Sequence, residues 1–166
     1  MTRRIRIAPK TTHWFLLALL LSSCSLLNEG DELEDLRANQ RLWQQHHAAD
    51  YQFDLTKGCF CGPGLYPARI VVRADTVNAV LDPATGAPLT PPESEEPALE
   101  LYPDEYATID GLFGVIERAI EQKAYQLDVT YDPERGYPRN IRIEYSKHAT
   151  DDEFFFEVLR YEAVEF

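Results

Sequence analysis

Cysteine is scarce: the 166 residues hold three, at 24, 59 and 61. Three cannot build a multiply bridged scaffold or a four-cysteine zinc site. Positive charge is also short, with 16 Lys and Arg against 28 Asp and Glu and a formal net charge of −12. That balance excludes nucleic acid as a partner and argues against an electrostatic grip on anionic lipid headgroups. No G-x-S-x-G elbow surrounds Ser94 or Ser146, so a hydrolase triad has no support. Gly58, Gly62 and Gly64 precede no helical pattern, which removes the phosphate loop. The spacing Cys-x-Cys, without a βαβ context, weakens an oxidoreductase reading. No catalytic residue, metal set or cofactor is therefore assigned. A long apolar run is missing beyond residue 21, so no later segment is expected to span a bilayer.

The apolar run that does occur is N-terminal. Arg3, Arg4, Arg6 and Lys10 form a basic start, Trp14 to Leu21 is continuously apolar, and Leu21-Ser22-Ser23-Cys24 closes it. This is too short for a permanent transmembrane helix and has the layout of a signal peptide over residues 1–23. The pattern leucine, small, small, cysteine resembles the bacterial lipobox. That resemblance implies cleavage before Cys24, diacylglycerol on its thiol and acylation of the new amino terminus. More than one acyl chain anchors stably. The competing reading is an ordinary secretory peptide with a chance cysteine. Residues 24–166 would carry 12 basic and 28 acidic residues, a net charge of −16, and are long enough for one domain with its own core.

Residues 24–30 are expected to be a tether, and 31–166 a single α+β domain. Asp31 with Glu34 suggests a capping box for a helix over about 32–48, with an apolar stripe of Leu33, Leu36, Leu42 and Trp43. Tyr51-Gln-Phe-Asp-Leu-Thr56 alternates as a half-buried strand does, and Tyr66–Arg73 and Val77–Leu81 follow as further strands. Residues 82–107 hold six prolines and an acidic run, and are expected to be a surface loop or mobile insert. Thr108 is a good N-cap for a helix whose apolar face is Ile109, Leu112, Phe113, Ile116 and Ile120. Gly111 and Gly114 would let that helix lie close to a sheet.

The strand pattern then returns at 125–130, 137–145 and 153–161. Tyr125-Gln-Leu-Asp-Val-Thr130 echoes Tyr51–Thr56, and Tyr137-Pro-Arg-Asn-Ile-Arg-Ile143 echoes Tyr66–Val72. Asp132-Pro-Glu-Arg-Gly136 reads as a tight hairpin loop. The strand phase blurs after Leu159, which predicts a bulge or the strand's end, and Phe155 is expected to be exposed or covered by the insert. The expected architecture is two tandem helix-β-β-β repeats forming one antiparallel sheet, with both helices packed on one face.

Cys59-Phe-Cys61 interrupts the first strand pair. A structural disulfide in an oxidising compartment ranks first, a redox-active bridge across one residue second, and a soft-metal pair third. Two thiolates are too few for zinc, and His46, His47 and His148 have no diagnostic spacing. His46-His47 suits the negative end of a helix better than one shared site, since adjacent helical residues point about 100° apart. Asp151-Asp152-Glu153 could offer oxygens to calcium but lacks an EF-hand spacing, and a solvated turn is the better reading.

Trp43, Tyr51–Thr56, Cys59-Phe-Cys61, Thr108-Ile-Asp-Gly-Leu-Phe113, Val129-Thr-Tyr-Asp-Pro133, Gly136-Tyr-Pro138 and Asp151-Asp-Glu153 resemble a family of small, uncharacterised bacterial lipoproteins carrying a domain of unknown function. The helix-plus-meander duplication is similar, at fold level, to β-lactamase-inhibitor-protein and PepSY-type modules, which bind other envelope proteins. The resemblance implies a lipid-anchored protein facing the periplasm or cell exterior, in the outer membrane of a Gram-negative host. Its work would be non-enzymatic: a binding or structural module for an envelope protein partner. The alternative is thiol or soft-metal handling through Cys59 and Cys61. If Cys24 carries the anchor, Cys24→Ala moves the protein from the membrane to the soluble fraction on cell fractionation; a variant that stays membrane-bound removes the lipobox reading.

Overall fold

In a computed structural model, residues 24–59, 67–147 and 152–164 are described, with the backbone alone at 24–29. The elements run α1 (Cys24–His46), β1 (Tyr51–Cys59), β2 (Ala68–Arg73), β3 (Thr76–Leu81), α2 (Ala98–Leu101), a 3-10 turn (Pro103–Glu105), α3 (Ile109–Glu121), β4 (Gln126–Tyr131), β5 (Pro138–Glu144) and β6 (Glu153–Ala163). All six strands form one sheet in the order β3-β2-β1-β6-β5-β4, and every pairing is antiparallel. The chain is therefore α+β, and its first strand lies beside its last in the middle of the sheet.

Alternation explains the layers. On β1, Tyr51, Phe53 and Leu55 are buried while Gln52, Asp54 and Thr56 are only half-buried. The inward residues join Ile70 and Val72 of β2, Ile141 and Ile143 of β5, and Phe156 and Val158 of β6 in one core with Leu36 and Trp43 of α1 and the apolar stripe of α3. That stripe is Ile109, Leu112, Phe113, Ile116 and Ala119, close to the expected face. Thr108 caps α3, its hydroxyl accepting from the Gly111 N–H at 3.1 Å. The glycines of α3 do not serve the sheet: a Cβ on Gly111 would meet Ala107, and one on Gly114 only the Arg118 guanidinium. The anticipated bulge is present. The β1–β6 register shifts between Asp54 and Leu55, opposite Arg160 and Val158, so Leu159 is the extra residue.

Two expectations fail. The first helix starts at Cys24, not near 32, so the capping box at Asp31 is not used and residues 25–30 are helical backbone. Gly30 is the one weak helix former there, at a cost of about 1 kcal/mol. The proline-rich segment is also not a loose insert. Asp82 turns the chain, Pro88 bridges to Leu81, the Leu89 N–H reaches the Val80 carbonyl at 2.9 Å and the Ala98 N–H the Leu89 carbonyl at 2.7 Å. Leu89, Ala98 and Tyr106 are buried in the core, and Lys57 pairs with Glu105. Three apolar anchors among the prolines are enough to pin it, although they show no period.

That turn has a twin. Asp82-Pro-x-x-Gly86-x-Pro88 and Asp132-Pro-x-x-Gly136-x-Pro138 share four hydrogen bonds. The Asp side chain accepts from the N–H groups two and three residues on. The Asp N–H donates to the carbonyl five residues on, and the Gly N–H donates to the Asp carbonyl. Each glycine has positive φ, 71° at Gly86 and 78° at Gly136. The Thr85 and Ala84 N–H groups hold the Asp82 carboxyl below the usual carboxylate range.

Gly136 is doubly constrained, since a Cβ there would lie 2.4 Å from the Asn39 carbonyl oxygen of α1. Gly136→Ala is expected to destabilise by at least about 1–3 kcal/mol from backbone strain alone, and by more than Gly86→Ala, which has open space; thermal melts of the two variants check the order. Burial raises the hydroxyl pKa of Tyr51, Tyr106, Tyr131, Tyr137 and Tyr161 above the ordinary 10.0. A raised folded-state pKa means stability that is complete below pH 10 and lost as pH rises above it. The tyrosinate absorbance of these five should then appear together with loss of secondary structure in an alkaline titration, rather than ahead of it.

Candidate functional site

The face of the sheet away from the helices is the open surface. Its rows follow from the register. Asp128, Arg142, Phe155 and Gly58 lie across from one another on β4, β5, β6 and β1, and Thr130, Asn140, Glu157 and Thr56 form the next row. The side chains pair across strands. Asn140 donates to the Thr130 hydroxyl at 3.3 Å and Arg142 stands 3.8 Å from Glu153, while Gln126 donates to Asp128 along β4 at 2.6 Å. On the other half, Arg69 grips Asp54 with two bonds of 2.7 and 3.1 Å. That contact raises the Arg69 pKa further, and both side chains are about four-fifths buried, at 19% and 14% exposure.

Phe155 puts an aromatic ring on this largely polar face. It is 40% exposed, and its ring occupies the place a side chain on Gly58 would take: a Cβ there would lie 2.0 Å from the ring. A cross-strand aromatic over a glycine restores the contact the glycine lacks. Here it also lays one apolar ring among hydrogen-bonding neighbours. Two recesses meet at it. One, of about 490 Å³, is lined by Asp128, Thr130, Asn140, Arg142, Phe155 and Glu157 among others. The second, of about 470 Å³, is lined by Gly58, Cys59, Arg142, Glu153 and Phe155. Sharing Arg142 and Phe155, they make one shallow groove across β1, β6, β5 and β4. It offers a π-face, donors from Arg142 and Asn140, and acceptors from Asp128, Glu153 and Glu157. These are the elements of a binding surface. Phe155 is exposed, one of its two expected states, but its pairing with Gly58 needed the register.

Cys59, expected as half of a disulfide, ends β1 and lines this groove. Its expected mate Cys61 lies outside the described residues, as do Ser22, Ser23, His148 and Asp151. Cys24, the expected lipidation site, is the first residue of α1. His46 ends that helix, and the His47 ring sits 5.0 Å from Trp43 with Nδ1 3.1 Å from the Trp43 carbonyl oxygen, so the two histidines do not share a site. Asp152 has a buried Oδ1 without a hydrogen-bond partner among the described residues, and Glu153 faces Arg142 instead. No group of three or more His, Cys, Asp or Glu that could hold a metal is found among the described residues, and none of their helices is long and apolar enough to cross a membrane.

The motif residues have a different job. The Trp43 indole N–H donates to Asp110 at 3.1 Å, and Gln44 donates to the other oxygen at 3.0 Å. The Ile109 N–H donates to the Tyr51 hydroxyl at 3.2 Å. Around Trp43 stand Tyr51, Tyr137 and Tyr161, with ring centroids at 5.4, 6.3 and 5.5 Å. Thr108-Ile-Asp-Gly, Gly136-Tyr-Pro and Tyr51 thus converge on one tryptophan and hold the scaffold together, away from the groove. Sequence reasoning missed Asp110 as the acceptor; a carboxylate in the first turn of a helix was the available signal.

No curated protein and no solved structure matches the chain. Residues 35–163 match the model of a family of unknown function (DUF6174), and the chain belongs to that family.

Proposed function

We propose that the protein is a lipid-anchored envelope lipoprotein, held at Cys24, that works as a non-enzymatic binding module. Its outer sheet face meets a partner protein at the groove centred on Phe155. The observation that carries this reading is the Phe155 ring, 40% exposed and seated on Gly58. The ring supports the glycine beneath it, and its exposed side is of the kind in which recognition surfaces are enriched. The scaffold behind it is proposed to be a duplicated helix-β-β-β unit of the type seen in β-lactamase-inhibitor-protein and PepSY-type modules. The order α1-β1-β2-β3 and α3-β4-β5-β6 supports this, together with the echo of Tyr51–Thr56 in Tyr125–Thr130. In the same proposal Cys59 and Cys61 form a small disulfide that braces the end of the groove.

The test is in-cell photocrosslinking of the anchored protein with the probe at position 155, and a control probe at Glu121, at the end of α3. A specific adduct is expected from 155 and not from 121. Cys59→Ser with Cys61→Ser should lower thermal stability while leaving that adduct in place. Identical adduct patterns at both positions, or none at 155, would remove the outer face as the binding surface.

A further inference from the structure

The sheet has two edges, and they differ. Beyond β3, Pro88 lies across from Leu81, with the Leu89 N–H on the Val80 carbonyl and the Asp82 N–H on the Ala87 carbonyl, and this segment covers part of the edge. Beyond β4 lies no strand: the sheet order ends there, β4 pairs with β5, and among the described residues no further backbone bond reaches Gln126–Tyr131. The segment Gln-Leu-Asp-Val-Thr-Tyr has no proline or lysine to blunt the edge; its one charge is Asp128, and its one irregularity lies at its end, between Thr130 and Tyr131. It also stands beside a recess of about 220 Å³, lined by Leu127, Val129, Tyr131 and Ile116, with Glu32, Asp35 and Asp128 in the same lining. Leu127, Val129 and Tyr131 are half-buried and alternate with exposed Gln126, Asp128 and Thr130.

We propose that the β4 edge takes up an extended, basic segment of a partner protein as a seventh strand. The inference does not depend on the outer groove. The main chain of β4 supplies the hydrogen bonds, as in strand addition to any free edge. Every second side chain of the incoming segment lies over the recess, where the stem of a lysine or arginine packs on Leu127, Val129, Ile116 and Tyr131 and its charge meets Glu32 and Asp35 in the same lining. A basic segment also suits a chain whose formal net charge is −12. The same charges count against a second copy of this chain: pairing β4 with β4 brings Asp128 near Asp128 and one strongly acidic protein against another. A strand paired along all of β4 would be about six residues, roughly 20 Å, long.

The experiment uses the full chain and two synthetic decapeptides, one alternating valine with lysine, the other valine with glutamate. Binding is followed by fluorescence anisotropy at physiological salt, and hydrogen exchange locates it. The lysine peptide is expected to bind and to slow exchange of the amides in 126–131; the glutamate peptide should bind at least about tenfold more weakly. The double variant Glu32→Lys/Asp35→Lys, at the half-buried and exposed positions of α1 that line the recess, should weaken the lysine peptide by about tenfold or more with an unchanged circular dichroism spectrum. Phe155→Ala should leave this binding unchanged, which separates the edge from the groove. The proposal is overturned if the lysine peptide fails to bind, if it binds without protecting 126–131, or if the double variant binds it equally well. Concentration-dependent protection of 126–131 without peptide would overturn it in favour of self-association.

Discussion

One hydrogen bond organises this molecule: the Trp43 indole N–H to the Asp110 carboxylate. It joins two helices that are far apart in the chain, and both ends are specified. Trp43 is fully buried, so its N–H needs an acceptor, and a bond to a charged acceptor contributes about 1.5–3 kcal/mol. Asp110 occupies the first turn of α3, where the helix dipole favours a carboxylate. Once the tryptophan is placed, its faces and edges set the rest. Tyr51 packs edge-on to it and accepts the Ile109 N–H, which ties β1 to the start of α3. Tyr137 and Tyr161 close the other sides, bringing β5 and the end of β6 to the same point. The Gly136 loop lies directly on α1 beneath it. Trp43, Tyr51, Thr108-Ile-Asp-Gly111 and Gly136-Tyr-Pro138, which carry the family resemblance, are therefore the keystone of the scaffold, and this leaves the opposite face of the sheet free to vary.

Much of the fold was legible because it rests on local periodicity. The i, i+3, i+4 spacing from Ile109 and the hydroxyl of Thr108 are visible without any partner, and α3 forms where they place it. The strands follow from alternation, and the blurred phase at Leu159 did mark a bulge. What was not legible depends on partners. Residues 82–107 show no period, yet Leu89, Ala98 and Tyr106 are buried; only the presence of β3 and the core tells them where to go. The echo between Tyr51–Thr56 and Tyr125–Thr130 misled in one respect. Near-identical blocks have unlike surroundings: Tyr51 is fully buried in the sheet centre, whereas Tyr125 is 52% exposed beside an edge. Residue pattern sets the strand, but position in the sheet sets the environment. A second repeat went unseen although it was in plain letters, because Asp-Pro-x-x-Gly-x-Pro lies once in a recognised hairpin and once in a stretch dismissed as loop.

The candidate groove had the same split. The exposure of Phe155 was one of its two expected states. That Phe155 meets Gly58, and that Cys59 stands in the same wall, required the β1–β6 register, which no local signal fixes. The glycine is informative here because it lies within a strand, where an ordinary residue would strengthen pairing. Its cost is offset by the ring above it, and that ring gives a largely polar, cross-paired surface a flat apolar feature.

The strand order has a consequence for how the chain is made. β1 and β6 are central neighbours, and the bond from Gln52 to Glu162 spans 110 residues. The sheet cannot be completed until β6 is available, and the Trp43 cluster waits for Tyr161 in the same way. Such a topology closes late and folds slowly, since the entropy of a loop of about a hundred residues is lost before its central pairing forms. Until β6 arrives, the two halves can collapse only as incomplete pieces, and the seam between them is the last part of the sheet to close.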